Sequence, residues 1–483
     1  MSKIKTNILY NMAYQVLVLI VPLITSPYIS RVLSVKGIGI FSYVSSVAYY
    51  FFVLVTMGLA NYGNRCIAKQ RDNKVSRSKT FWSIYYMQIV IGLCTTAVYI
   101  FYVLFISEQS YKIYFLIYIL YILGACLDIN WFFFGMEEFK FTTIRNSIIK
   151  ILTVISVFLF VKNENALIAY FLIVAGSTLL SNLILWTKVN HFVDYYKPTF
   201  KECIMHVKPN LILFIPILAM SIYRVMDKIM IKELSGIIQN GYYENADRII
   251  TISLTAFSAI ATVMMPAISN MVAKKDDFEI KKIFYDMMQV VNFISIAMMF
   301  GLMAISIEFA PLFFGSDFIE TGYLLIGLAP TIFLSGWKNV VRSQYLIPYE
   351  KDNIYVISLV VGALVNFIIN FIFIPKYGAR GAVIGTIAAE LIGFIIQTYA
   401  TTNYISVKKI IMQSIIFVPA GVVMMLIISY ILRVLPYSLF SILLIVLVGG
   451  IIYLVLGVVS LYLLNKERFL YFRMMVEKSF IRQ

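Results

Sequence analysis

The sequence predicts an all-α membrane protein of about 14 transmembrane helices, arranged as two pseudo-symmetric six-helix lobes plus a terminal pair. Three observations lead there. The 483 residues are 61% hydrophobic, with a mean hydropathy of +0.87, whereas soluble domains are roughly 45–50% apolar. The apolar residues collect in about fourteen runs near the ~20 residues a helix needs to cross hydrocarbon. Short stretches of the first six runs recur, in the same order, within the next six.

The runs lie near 9–31, 39–62, 81–106, 112–134, 143–161, 166–187, 209–231, 242–268, 284–308, 319–342, 353–374, 381–403, 412–433 and 439–464. They are too long and too continuously apolar for the alternating strands of a barrel. The first, within "MSKIKTNILYNMAYQVLVLIVPLITSPYISRVL", starts like a secretion signal with Lys3 and Lys5. Its apolar stretch is too long and no small-x-small cleavage site follows, so it reads as a retained helix. The longest loop lies around 189–208, too short for a soluble domain, so any chemistry belongs inside the bundle or at its mouths.

The recurrence pairs "PLITSPYISRVL" (22–33) with "PILAMSIYRVM" (216–226), which sets Arg31 against Arg224. It pairs "KTFWSIYYMQIV" (79–90) with "KKIFYDMMQVV" (281–291), and "KNENALIAY" (162–170) with "KYGARGAVIGT" (376–386). An even number of helices per repeat gives parallel halves about an axis along the membrane normal, with a cavity expected near the midplane. The expected organisation is an N-lobe at 1–208, a C-lobe at 209–403, and a last helix pair with a basic cytoplasmic tail at 404–483.

A net charge of +16 could signal nucleic acid, but its distribution does not. With the N-terminus in the cytoplasm, most Lys and Arg fall on the cytoplasmic side, as the positive-inside rule requires, and both termini are then cytoplasmic. The loop "NRCIAKQRDNKVSRSK" alone holds Arg65, Lys69, Arg71, Lys74, Arg77 and Lys79, and reads as a solvated topogenic loop. The tail "NKERFLYFRMMVEKSFIRQ" is basic and aromatic, as a helix lying on the inner interface would be. Cys66, Cys94, Cys126 and Cys203 show no paired spacing and read as reduced structural thiols. His191, Cys203 and His206 match no standard metal-ligand set.

Charges inside the runs are the functional signal, because each costs roughly 2.5 kcal/mol or more at the bilayer centre. In "SIYRVMDKIMIKELSG", Arg224, Asp227 and Lys228 sit at i, i+3 and i+4, on one helix face. Arg31 ends the first run on the same side, and Glu244, Asp247 and Arg248 open the eighth. These groups either neutralise one another or form an anion-binding surface, with Arg31 and Arg224 as candidate phosphate ligands. Glu390 stands about 14 Å along its helix as the deepest isolated carboxylate, a candidate coupling group or a neutral hydrogen-bonding acid. Asp128, Asn130, Lys338 and Arg342 suggest a mixed-charge inner vestibule. The aromatic run after Asp128 reads as an interfacial belt more than as a sugar platform. Asn366 and Asn370 suit interhelical hydrogen bonding as well as substrate contact. There is no GxxxxGK[ST], HExxH or GxSxG, so the expectation is no enzyme, no catalytic residue, no metal and no cofactor.

Several stretches together carry a resemblance: "SPYISRVLSVKGIGIFSY", "DINWFFFGMEEFKFTTIRNSIIKI", "YRVMDKIMIKELS", "GYYENADRIITISL", "VMMPAISN" and "VNFIINFIFIPKYGARGAVIGTIAAE". From about residue 5 to 403 the chain resembles the Wzx-type polysaccharide flippases of the multidrug/oligosaccharidyl-lipid/polysaccharide exporter superfamily. The resemblance implies two six-helix lobes plus a terminal pair. It also implies passage of undecaprenyl-diphosphate-linked oligosaccharide from the inner to the outer leaflet of a bacterial cell membrane, by alternating access around a cationic cavity. By motif, the cations that attract the diphosphate map to Arg31, Arg224 and Lys228. The expected partners are the lipid-linked oligosaccharide, membrane lipids, H+ or Na+ as coupling ion and a polysaccharide polymerase, with no nucleic acid, for a chain acting as a monomer. Two relatives of the same logic stay open: a lipid II flippase and a cation-coupled drug exporter.

Overall fold

The structure, a computed structural model, describes residues 3–274, 277–434 and 438–464, with side chains from Tyr14 onward except at 224, 256, 259–263, 266–267, 273, 439 and 464. The tail expected to lie on the inner interface falls outside the described residues. Among the described residues there are nineteen α-helices and no strands. The chain divides into two compact units, 1–241 and 242–483. The expected lobe boundary at 208/209 falls in the first turn of the long helix at 207–235, and that whole helix belongs to the first unit.

The first unit holds α1 (Lys3–Thr56), α2 (Leu59–Lys69), α3 (Lys74–Phe105), α4 (Lys112–Ile117), α5 (Ile119–Cys126), α6 (Asn130–Gly135), α7 (Phe139–Phe160), α8 (Leu167–Val189), α9 (Phe200–Ile204) and α10 (Val207–Ser235), and ends in the first turns of α11 (Ile237–Ala273). α1 contains Pro22 and Pro27 and leaves helical geometry at Ser34 (φ 59°, ψ 175°). That conformation costs a serine on the order of 1–3 kcal/mol, and tight packing beside it holds the break in place. A Cβ on Gly39 would stand 2.1 Å from the Ile237 carbonyl oxygen, and one on Gly241 would stand 2.1 Å from that of Val35. The Asn240 side-chain amide donates to the Gly39 carbonyl across the same crossing (3.0 Å). Only glycine permits two backbones this close.

Asn73 caps α3, its Oδ1 accepting from the Ser76 N–H (3.0 Å), which satisfies one of the orphan donors of the helix start. Behind it lies an aromatic core: Phe81, Ile84 and Met87 of α3 and Ile67 of α2 pack on Trp131, Phe132 and Phe133 of α6 and on Leu185 and Val189 of α8. The aromatic run is therefore interior packing, neither belt nor sugar platform. Trp131, Phe132 and Phe133 are at most 3% exposed, and Trp131 Nε1 donates to Gln88 Oε1 (3.1 Å).

The second unit continues with α12 (Asp277–Phe314), α13 (Ile319–Leu328), α14 (Pro330–Val341), α15 (Asp352–Tyr377), α16 (Ala379–Tyr399), α17 (Val407–Ile415), α18 (Val418–Leu432) and α19 (Leu439–Leu464). α14 runs on into a π-helical turn, Arg342–Leu346. α15 and α16 form a close hairpin: a Cβ on Gly385 would meet Asn370 Oδ1 at 2.1 Å. Asn370 Nδ2 donates to Asn366 Oδ1 (3.1 Å), so these two amides bond to each other within α15. The terminal pair is packed, through Met424, Ile428 and Tyr453, on Ile296 and Ala304 of α12, and Tyr453 Oη donates to the Phe293 carbonyl (2.9 Å).

Among the described residues, eleven helical segments are long and apolar enough to cross a membrane, or twelve if the pair Ser316–Leu328 and Pro330–Leu346, bent by 44°, is one span. Every expected run falls on helix, but the count of fourteen is not established. The segment Tyr14–Lys69 covers two expected runs, 9–31 and 39–62, broken at Ser34. The run expected at 242–268 is helical within α11 without entering the eleven. This is a multi-pass helical membrane protein.

Candidate functional site

In the first unit, α1, the 128–130 segment, α7 and α8 border a cavity of about 390 Å³. Its polar wall is built from the sequence outward. α5 ends at Cys126, and Asp128 turns the chain: its Oδ1 accepts from both the backbone N–H (2.9 Å) and the side-chain amide (2.6 Å) of Asn130. This is a local side chain–backbone turn of the kind Asp favours. The Asn130 amide, fixed in that sense, offers its Oδ1 to Arg145 Nη2 (2.8 Å). Arg145 also donates from Nη1 to the Ser181 carbonyl (3.1 Å) and from Nε and Nη2 to Asn146 Oδ1 (3.1 and 2.5 Å). Asn182, on α8, anchors to the Gly124 carbonyl (2.9 Å). Lys150, one and a half turns beyond Arg145 on α7, lines the same cavity.

Asp128 and Asn130 thus share this wall with Arg145, Asn146, Lys150 and Asn182, four residues outside the expected site. The available signal was plain: Arg145 and Lys150 interrupt the apolar run 143–161.

The other two vestibule residues, Lys338 and Arg342, lie in the second unit. Lys338 on α14 forms an ion pair with Glu390 on α16 (Nζ–Oε2 2.7 Å), with the two side chains 14% and 8% exposed, and Ser335 donates to the same oxygen. This corrects the expectation of an isolated carboxylate. α14 packs beside α16 at this depth, and a lysine stem spans the gap between them. The Arg342 guanidinium lies over the Tyr355 ring (4.9 Å).

Of the expected anion surface, Arg31 is exposed on α1, Asp227 is buried and Lys228 half-buried on α10, all in the first unit. Arg224 lies on α10, and its side chain is outside those described. Glu244, Asp247 and Arg248 belong to the second unit, where Glu244 and Arg248 pair along α11 (2.9 Å), neutralising each other one turn apart. A further charged cluster was not foreseen. Lys232, near the end of α10, is buried between Glu108 and Glu233 (3.1 Å to the latter) and sits over the Tyr43 ring (4.5 Å). Tyr43 Oη donates to Glu233 (2.6 Å). His206 is bonded to Tyr62 (2.7 Å).

Comparison with known proteins locates the chain. A family model described as "Polysaccharide biosynthesis protein" matches residues 4–272. A protein of Shigella dysenteriae described as "Putative O-antigen transporter" is 22% identical over 376 residues, covering 77% of this chain and 93% of that one. Among solved structures, the lipid II flippase MurJ superposes with a TM-score of 0.76 at 18% identity, covering 94% of this chain and 99% of that one. A multidrug resistance MATE family transporter, in its inward-facing conformation, gives 0.62 at 14% identity, covering 82% and 95%. At these identities the two structures share the fold with this chain.

Proposed function

The chain belongs to the polysaccharide biosynthesis protein family, and on that premise we propose that it is a flippase for undecaprenyl-diphosphate-linked oligosaccharide repeat units. It moves them from the inner to the outer leaflet of a bacterial cell membrane for capsule or other surface polysaccharide assembly. The physical need is clear. A polar hydroxyl moved into hydrocarbon without a partner costs on the order of several kcal/mol, so a head group of several sugars does not cross unaided. A polar path through the protein removes that cost while the polyprenyl chain stays in lipid.

The observation that carries the reading is the family match, joined to ionisable side chains within the candidate membrane spans: Asp128, Arg145 and Lys150 in one unit, Lys338 and Glu390 in the other. Intramembrane ionisable groups mark transport paths by default. In our reading Arg31, Arg224 and Lys228 attract the diphosphate, with Asp227 moderating them and Glu244, Asp247 and Arg248 continuing the polar surface. The two halves expose the head group to each leaflet in turn. Both termini lie in the cytoplasm, the chain acts as a monomer beside a polymerase, and H+ or Na+ drives it, with Glu390 as the coupling candidate. The MurJ likeness favours lipid II as the second substrate to try.

The test in cells is replacement of the native gene by the Arg224→Ala form. Expected is loss of surface polysaccharide at unchanged protein level. Normal export by that variant removes Arg224 from the path.

A further inference from the structure

We propose that the cavity of the first unit is a binding site for an anionic sugar, in which Lys150 pairs with the sugar's carboxylate or phosphate. The inference rests on the transport reading and sharpens it, because it names the class of sugar the chain handles.

Charge comes first. Lys150 lies eleven residues into the 22-residue α7, about 16 Å along the axis and therefore near the middle of the span. Among the described residues no hydrogen bond or ion pair engages its ammonium, and it lines the cavity. The other two charges there are spoken for: Asn130 accepts from Arg145 and donates to Asp128, joining cation and anion in one network. Arg145 spends its remaining bonds on Asn146 and the Ser181 carbonyl. One positive charge is left over, at a depth where an unpaired ammonium is costly. The cavity as built favours an anion.

Hydrogen-bond sense then selects a sugar over a bare anion. Thr25, Thr153, Ser177 and Thr178 line the cavity, and each hydroxyl donates to a carbonyl three or four residues back in its own helix. Their donors are used and their oxygen lone pairs remain, so the wall offers acceptors. A fully deprotonated inorganic anion has no use for acceptors, and phosphate near neutral pH, with one or two P–OH groups, has use for few of them. A hexuronic acid or a sugar phosphate uses both features: ring hydroxyls donate to the wall and the oxyanion meets Lys150. The volume of about 390 Å³ falls at the low end of the ~300–1,000 Å³ typical of small-molecule pockets, suited to a single sugar residue.

The experiment is ligand binding to the purified full chain in detergent, by equilibrium dialysis and by ligand-dependent thermal unfolding. The probes are glucuronate, glucose 1-phosphate, glucose and inorganic phosphate. At least one anionic sugar is expected to bind about tenfold or more tighter than both glucose and phosphate, and the better of the two identifies the carboxylate or the phosphate as the natural group. Lys150→Met should abolish that advantage while leaving weak glucose binding unchanged, and Lys150→Arg should restore most of it. Thr153→Val keeps the charge and should weaken anionic sugar and glucose alike; it also serves if the methionine variant does not fold. Equal binding of glucose and anionic sugars, equal binding of phosphate alone, or affinities unmoved by these variants would each overturn the site. Translocation is measured separately: transport without anionic-sugar binding sinks this inference alone, and binding without transport sinks the flippase reading alone.

Discussion

Removing one partner of the Lys338–Glu390 pair should damage the protein far more than removing both. The charges approach to 2.7 Å with side chains 14% and 8% exposed. At an effective dielectric near 20 that separation gives an attraction of about 6 kcal/mol, which the desolvation of two ions, several kcal/mol each, largely offsets. The net worth of the pair is thus small. Either ion left alone keeps its desolvation without the compensation, and breaking such a pair costs about 3–5 kcal/mol. We therefore expect Lys338→Met and Glu390→Leu each to lose about 3–5 kcal/mol. The double variant should lose only about 1 kcal/mol, for the Ser335 hydroxyl deprived of its acceptor. The assay is equilibrium unfolding in mixed micelles of a mild and a denaturing detergent, read as a double-mutant cycle. Singles that lose under 1 kcal/mol and add in the double would refute the pairing argument.

The other predictions concern packing and surface charge. Gly39→Ala places a methyl against the Ile237 carbonyl, which is backbone and cannot yield, so it should cost about 1–3 kcal/mol in the same unfolding assay. Gly176→Ala, with nothing within 4 Å of its Cβ, should be neutral or stabilise α8 by up to about 1 kcal/mol. The Arg71–Glu137 pair (2.6 Å) is exposed on both sides, so Glu137→Gln should leave the thermal midpoint of the purified chain unchanged.

How much of this was legible beforehand follows from what each signal measures. Hydropathy reports whether a segment is surrounded by apolar matter, so every expected run became helix. It does not report whether two runs are joined, and α1 continues past the break at Ser34 on the strength of a backbone crossing some 200 residues away in sequence, at Gly241. Depth along a helix is one-dimensional. It carries no information on lateral contact, so Glu390 reads as an isolated acid and Lys338 as part of a separate vestibule, although the two form an ion pair. Trp131 and Phe133 illustrate the same blindness, since composition cannot separate a lipid-facing aromatic from one enclosed by α2, α3 and α8. Arg145 and Lys150 are different. Both stand as charges within an apolar run, and the general cost of intramembrane charge is enough to single them out.

The most direct test of the account is leaflet translocation by the purified full chain in proteoliposomes. Polyprenyl-diphosphate-linked oligosaccharide is built into the membrane, and the fraction accessible to an external glycosidase is followed under an imposed pH or sodium gradient. Protein-dependent, gradient-accelerated transfer of the lipid-linked oligosaccharide, faster than that of lipid II, is the predicted result. Transfer no faster than in protein-free vesicles, or transfer of lipid II alone, would contradict it.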